Sequence, residues 1–162
     1  MDLRIIATGG TFDKTYDPIK GSLGFSDSQL AQVVSHARIA STVVCEIAMQ
    51  IDSLDMHDSH RQQILLACQQ SPQSQIVIVH GTDTMVATAQ LLAGAGLTKT
   101  IVLTGAMVPF TVAQSDALFN LGYALACAQH REHGVYVAIG GQCFAWDKVR
   151  KNRALGFFES LG

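Results

Sequence analysis

Two short segments place hydroxyls and glycines where a chain can do covalent chemistry. Ile6-Ala7-Thr8-Gly9-Gly10-Thr11-Phe12-Asp13 closes the first apolar run, and Val79-His80-Gly81-Thr82-Asp83-Thr84-Met85 closes a later one. Each is a β-type run ending in Gly-Thr, with an aspartate beside or near the threonine. Glycine lets the backbone turn tightly and approach a ligand closely. Parallel α/β sheets set their sites at the carboxyl ends of strands, so neighbouring runs of this kind bring two hydroxyls, an acid and backbone donors into one crevice. A threonine hydroxyl is a weak nucleophile that needs a base or a polarised network, and Thr82-Asp83 supplies the start of one. The chemistry in view is hydrolysis through a threonine.

These two turns, with four further segments in the same order, resemble the bacterial-type L-asparaginase family. Asp52-Ser53-Leu54-Asp55-Met56 resembles its substrate-binding loop, and Leu103-Thr104-Gly105-Ala106-Met107 its next strand end. Ser115-Asp116 with Phe119-Asn120-Leu121 resembles the following helix, and Val149-Arg150-Lys151-Asn152 falls where the family carries its catalytic lysine. The likeness covers nearly the whole chain, but only the amino-terminal domain of a typical member. It implies an amidohydrolase, foremost an L-asparaginase that converts L-asparagine to L-aspartate and ammonia with no cofactor. Thr11 is then the nucleophile, Thr82, Asp83 and Lys151 form a proton relay, and Tyr16 is the lid tyrosine. Gly10, Asp52, Ser53, Gly81, Thr82 and Asp83 hold the substrate, with Ser53 and backbone amides on its carboxylate and Asp83 on its ammonium. A lysine beside an aspartate suits such a relay, because small changes in surroundings shift its charge. Asp83 also suits the N-cap of the next helix.

The chain departs from the family in places. Leu54 stands where many long members carry a polar residue, Val108 replaces a usual arginine, and Tyr16 lies closer to the nucleophile than the family's lid tyrosine. Residues 1–162 read as a single domain. The second domain of typical members, whose residues reach the neighbouring subunit's site, is not expected within these residues, whether the chain is a naturally short member or an excised domain. Two alternatives therefore stay open: an acidic amino-acid or amide-binding domain with little turnover, and a hydrolase preferring glutamine or another small amide. One methylene in a pocket is worth only about 1–3 kcal/mol of discrimination. The resemblance also implies a homo-oligomer. Phe144, Trp146, Phe157 and Phe158 near the end, with Phe119 and Tyr123, are the expected contact surfaces, unless those aromatics pack on their own sheet edge.

Composition narrows the classes. At 162 residues, 48% hydrophobic and 15% charged, the chain has the makings of one sizeable globular core. A net charge of -2 gives no electrostatic case for nucleic acid or an anionic membrane. Lys148, Arg150, Lys151 and Arg153 form the one basic cluster, which reads as a solvated hairpin. No apolar run reaches the roughly 20 residues that span a bilayer. The start, Met-Asp-Leu-Arg, lacks the pattern of a signal peptide. A cytoplasmic protein is expected, with Cys45, Cys68, Cys127 and Cys143 as reduced packing residues. His80, and His57 with His60, find no third ligand at zinc-like spacing, so no metal site is expected. Neither glycine turn has a nucleotide-binding pattern.

The elements that must position these residues follow from hydrophobic periodicity. Strands are predicted over Leu3–Thr8, Thr42–Gln50, Gln75–His80, Thr100–Thr104 and Val135–Ile139. Leu30, Val33, Val34 and Ala37 share one helical face. Asp58 caps a helix carrying Ile64, Leu65 and Cys68. Asp83 or Thr84 starts another with Met85, Ala89 and Leu92 inward, and Leu118, Leu121, Gly122 and Leu125 mark the longest. Alternation of these elements predicts an α/β fold, a parallel sheet with helices on both faces, and the resemblance implies the Rossmann-like three-layer form of the asparaginase amino-terminal domain. Gln142–Asp147 and Arg153–Glu159 read as the arms of a carboxy-terminal β-hairpin, and 9–27 as an irregular mobile lid.

Overall fold

The computed structural model describes residues 2–162. Its frame is a six-stranded sheet of β1 (Leu3–Gly9), β4 (Val43–Ile51), β5 (Gln75–Val79), β6 (Thr100–Thr104), β7 (Gly134–Ile139) and β8 (Gln142–Ala145). The spatial order is β4-β1-β5-β6-β7-β8, parallel except for β8. The apolar runs Ile76–Val79 and Ile101–Leu103 are buried because helices cover both faces of the sheet. On one face lie α1 (Leu30–Ala37) and α4 (Ala117–His130), packing Leu30, Val33, Leu121 and Ala124 onto Ile5, Val77 and Val102. On the other lie α2 (Asp58–Gln70) and α3 (Met85–Gly94), packing Ile64, Cys68, Met85 and Leu92 onto Ile6, Ile78 and Leu103.

From β1 the chain crosses to β4 on one side, then returns to β5 on the other side of β1. The order reverses there, and the carboxyl ends of β1 and β5 diverge into a crevice where open α/β sheets bind ligands. Both Gly-Thr turns lie at that point, aligned by the register Ala7↔Val79.

Several elements differ from the sequence reading. The 9–27 segment is a short 3₁₀ turn followed by an antiparallel ribbon, β2 (Lys14–Asp17) with β3 (Ser22–Phe25). Asp17 closes its tip by accepting the amides of Ile19 and Lys20. The carboxy-terminal hairpin is present, but its arms are β9 (Val149–Asn152) and β10 (Phe157–Ser160). The Gln142–Asp147 arm instead joins the main sheet. Gly140 and Gly141, both at positive φ (61° and 76°), make the tight primed turn that folds β8 back on β7. In α4, Leu118 and Gly122 face outward, and the buried face is Ala117, Asn120, Leu121, Ala124, Leu125 and Ala128. Asp58 is the first residue of α2 rather than its cap, which is His57 in reciprocal bonding with His60. Cys68 and Cys127 are buried as expected, but Cys45 is exposed because β4 is a sheet edge.

Asn120 is a polar residue on the apolar face of α4, and its bonds explain it. Nδ2 donates to Gly105 O (2.9 Å) and to Asp116 Oδ2 (2.9 Å), while Oδ1 accepts the Gly140 amide (3.0 Å). It ties the ends of β6 and β7 to α4. Asn120→Ala leaves the buried Gly105 O without its amide partner and releases the exposed Gly140 N, so urea unfolding should show a loss of about 1–3 kcal/mol with an unchanged slope.

Candidate active site

Three strand ends converge through glycine. Gly10 has φ 72° and ψ -179°, a region essentially restricted to glycine. A Cβ there would lie 2.5 Å from Gly81 Cα, and one on Gly81 would lie 2.6 Å from Ser53 Oγ. The turns after β1, β5 and β4 therefore touch backbone to backbone. Thr11 and Thr82 each follow one of the touching glycines. Thr11 is half-buried, and its hydroxyl has no hydrogen-bond partner among the described residues.

Lys151 reaches this crevice from β9, where the pleat turns it inward with Val149. Its Nζ donates to Thr82 Oγ1 (2.7 Å) and to Asp83 Oδ1 (2.9 Å), with the lysine side chain only 11% exposed. The ammonium is thus paired and mostly dry. Met107 Sδ lies 3.8 Å from the Thr82 hydroxyl. Asp116 holds that neighbouring loop by accepting the amides of Met107 and Val108. The amides of Gly81, Thr82 and Asp83 donate to no acceptor among the described residues.

The Asp52–Asp55 turn is braced against the second threonine turn. Ser53, 1% exposed, accepts the Thr84 amide (3.3 Å) on its hydroxyl, and its carbonyl accepts the Thr84 hydroxyl (2.8 Å). Asp52 accepts the Leu54 amide and pairs with Lys14 at 2.6 Å, and the Lys14 hydrogen bond holds its carboxyl below the usual range. Lys14 also lies over the Phe25 ring, linking both ribbon strands to this turn. Asp13 fixes the ribbon's base by accepting Gln29 N, Ser28 Oγ and Gln50 Nε2.

Thr82, Asp83 and Lys151 thus come together, and Gly10, Gly81, Ser53 and Asp52 form the adjoining wall. Tyr16 does not join them: its side chain stands out on the ribbon, 61% exposed, with no hydrogen bond to Thr11. Sequence reasoning missed Lys14, Asp13, Met107 and Arg153. Arg153 stands in the turn that follows β9 and donates from Nη2 to the Asp83 carbonyl (3.1 Å). Among the described residues, no group of three or more His, Cys, Asp or Glu is placed to hold a metal ion, and no helix is long and apolar enough to cross a membrane.

A parallel sheet with hydroxyl, lysine and aspartate gathered at its switch point defines an α/β protein with a strand-end site. A family model described as "Asparaginase, N-terminal" matches residues 2–160, and the chain belongs to that family. The curated L-asparaginase of Thermococcus kodakarensis is 40% identical over 53% of this chain and 27% of its own length. A glutamyl-tRNA(Gln) amidotransferase component of Pyrococcus furiosus is 32% identical over 92% of this chain and 37% of its own. A solved structure of the thermostable L-asparaginase from Thermococcus kodakarensis superposes with a TM-score of 0.88 at 29% identity, covering 99% of this chain and 51% of that one. The chain spans about half the length of that structure and less of the curated relatives.

Behind the threonine turn, His80 is fully buried. Its Nδ1 donates to Gly81 O (2.8 Å), since a carbonyl only accepts, and its Nε2 accepts the Thr88 hydroxyl (2.8 Å). Burial pulls its pKa down from 6.5 to about 4. A base whose folded pKa is lowered adds nothing to the pH dependence above its unfolded value. Below that value the unfolded chain binds a proton that the folded one refuses. The resulting loss of stability starts near pH 6.5 and reaches about 3 kcal/mol once pH falls below about 4. Urea unfolding at pH 7.5 and pH 5 should therefore show a drop of about 2 kcal/mol in the native protein that is missing in His80→Gln.

Proposed function

We propose that this chain is an amidohydrolase using Thr11 as nucleophile, with L-asparagine as the preferred substrate. The observation that carries this reading is the Lys151 ammonium set on both Thr82 Oγ1 and Asp83 Oδ1 beside the Gly10–Gly81 contact. Thr11 Oγ attacks the side-chain amide carbon, and the unpaired amides of the Gly81–Asp83 turn receive the oxyanion. The C–N bond then breaks, and the proton given up by Thr11 leaves on ammonia. Water attacks the resulting ester and passes its proton through the Thr82 hydroxyl to the departing Thr11 oxygen, while the Lys151 ammonium, held by Asp83, donates to Thr82 and steadies the charge that develops there. Aspartate departs and the Thr11 hydroxyl is restored. Neither a metal nor a cofactor has a step in this sequence. Thr11→Ala should lower kcat for ammonia release by about 10³-fold or more with unchanged unfolding. Retained turnover in a folded variant would remove Thr11 from the role. Relative rates on asparagine and glutamine order the substrates, and turnover of no amide despite micromolar binding would favour the binding-domain reading.

The same chemistry serves a second arrangement, in which the ammonia is passed on to a partner protein. The likeness to an amidotransferase component over 92% of the chain favours it. Free ammonia released in step with aspartate, by the chain alone, counts against that version.

Self-association is part of the proposal. Of the aromatics near the end, Phe144 and Phe158 pack into this domain's own core and Trp146 lies against it. Phe157 remains 70% exposed, and together with Phe119 and Met107 it lines a cavity of about 270 Å³ beside the relay. A second copy of the chain is the proposed cover for this apolar surface, which lies next to Lys151. Four unbridged cysteines fit a reducing cytoplasm. Sedimentation equilibrium at micromolar concentration should give a dimer or larger. A monomer that still turns over asparagine would show that one chain suffices.

A further inference from the structure

Lys14 holds two turns at once. Its backbone amide donates to the Thr11 carbonyl and closes the 3₁₀ turn Thr11–Asp13. Its ammonium lies 2.6 Å from Asp52 Oδ2, with the lysine side chain only 20% exposed. Asp52 is the N-cap of the next such turn, Ser53–Asp55, and its other oxygen accepts the Leu54 amide (3.2 Å) across Ser53. Lys14 therefore grips the turn of the proposed nucleophile by its main chain and the turn of Ser53 by its side chain.

Other bonds join these segments, but at a different level. The Gly10 amide donates to Ile51 O (3.0 Å), and Gln50 Nε2 donates to Asp13 Oδ2 (3.2 Å). Both end on β4, ahead of the Ser53 turn. They pin the chains at the strand ends and leave what lies beyond the pin free to swivel. The Lys14–Asp52 pair reaches past them, onto the residue that caps the Ser53 turn. An exposed ion pair contributes little, because water and side-chain freedom oppose it. Here the lysine is mostly buried, and its ammonium sits 5.7 Å from the centre of the Phe25 ring, which narrows that freedom.

We propose that Lys14 is a positioning residue for the hydrolysis: its pair with Asp52 sets how the Thr11 hydroxyl stands to a substrate seated on the Ser53 turn. This rests on the amidohydrolase reading above. The ammonium is engaged by Asp52 and takes no part in bond making. A substrate whose carboxylate is seated at Ser53 has its amide carbon placed by that seat, so a shift of one turn against the other carries the carbon away from the hydroxyl. Misplacement by about 1 Å costs roughly 100-fold in rate. An amide without the carboxylate is not tied to the seat and escapes that penalty.

The test uses the whole chain with L-asparagine and with 3-aminopropanamide, the same amide without the carboxylate. Lys14→Met should lower kcat for L-asparagine about 10- to 100-fold, with KM within about threefold of native. Turnover of 3-aminopropanamide should fall by less than about threefold. Asp52→Asn keeps the side chain's shape but not its charge, and it should behave as Lys14→Met does. The double variant should be no worse than the poorer single one, since both remove one interaction. Lys14→Arg keeps a cation for Asp52 and should recover most of the loss. Lys20→Met, which removes a charge from the exposed tip of the same ribbon, should match the native protein. Equal losses on both amides, a loss in KM alone, additive losses or no recovery with arginine would each overturn the inference. Should the native protein hydrolyse L-asparagine alone, the kcat–KM split, the arginine variant and the double variant decide. Should it hydrolyse neither amide, the hydrolase reading fails by itself, and amide hydrogen exchange decides whether the pair fixes the two turns. The Asp13 and Leu54 amides, one in each turn, should then exchange about tenfold faster or more in Lys14→Met and return toward native in Lys14→Arg. Unaltered exchange at either amide sinks it.

Discussion

The architecture of the site depends on two backbones touching where side chains would forbid it. β1 and β5 are adjacent in the sheet, and beyond their last paired residues the chains turn toward one another, so that Gly10 lies against Gly81. A Cβ on Gly10 would lie only 2.5 Å from Gly81 Cα, a distance that no side-chain-bearing residue could keep there. Everything else is stacked on this contact. Ser53 fills the space that a Gly81 side chain would take, Thr84 bonds to Ser53, and Thr82 is presented to Lys151 from the same turn. Each threonine follows one of the two glycines that touch.

Around that contact the polar groups divide into two kinds. Those behind the crevice are buried and fully bonded: His80 through Gly81 and Thr88, Asn120 through Gly105, Asp116 and Gly140, and Asp13 through Ser28, Gln29 and Gln50. Each has left water and is repaid by bonds that fix one geometry. Those at the front are left with capacity to spare: the Thr11 hydroxyl and the amides of Gly81–Asp83. A supporting shell that is saturated and a front that is not is the arrangement expected of a site that binds rather than merely packs.

Much of this could be read from residues alone, for a physical reason. Buried parallel strands need unbroken apolar runs, and Gln75–Val79 or Thr100–Thr104 can be little else. The turns that follow advertise themselves because glycine and threonine are there for backbone geometry and chemistry. Other features left weaker marks. The Gly140-Gly141 pair is a primed turn, but the segment after it is as compatible with a separate hairpin arm as with an added edge strand, since both alternate in the same way. The β2–β3 ribbon carries few apolar residues, so periodicity had nothing to register. In α4, Leu118 lost its expected place to Asn120, whose amide is worth more buried than exposed only because two strand ends offer it partners. Such partners are distant in sequence, and no local pattern announces them.

The β2–β3 ribbon is best understood as a lever. A two-stranded ribbon has little stability of its own, and this one extends into solvent as far as Ile19, so its shape is maintained from the root. Asp13 clamps the heel against the start of α1, and Lys14 bears on Asp52, the residue that also shapes the turn carrying Ser53. The fulcrum is therefore a working part of the crevice wall. The tip of the ribbon and the turn on which the threonine backbone rests are thus joined through a single ion pair.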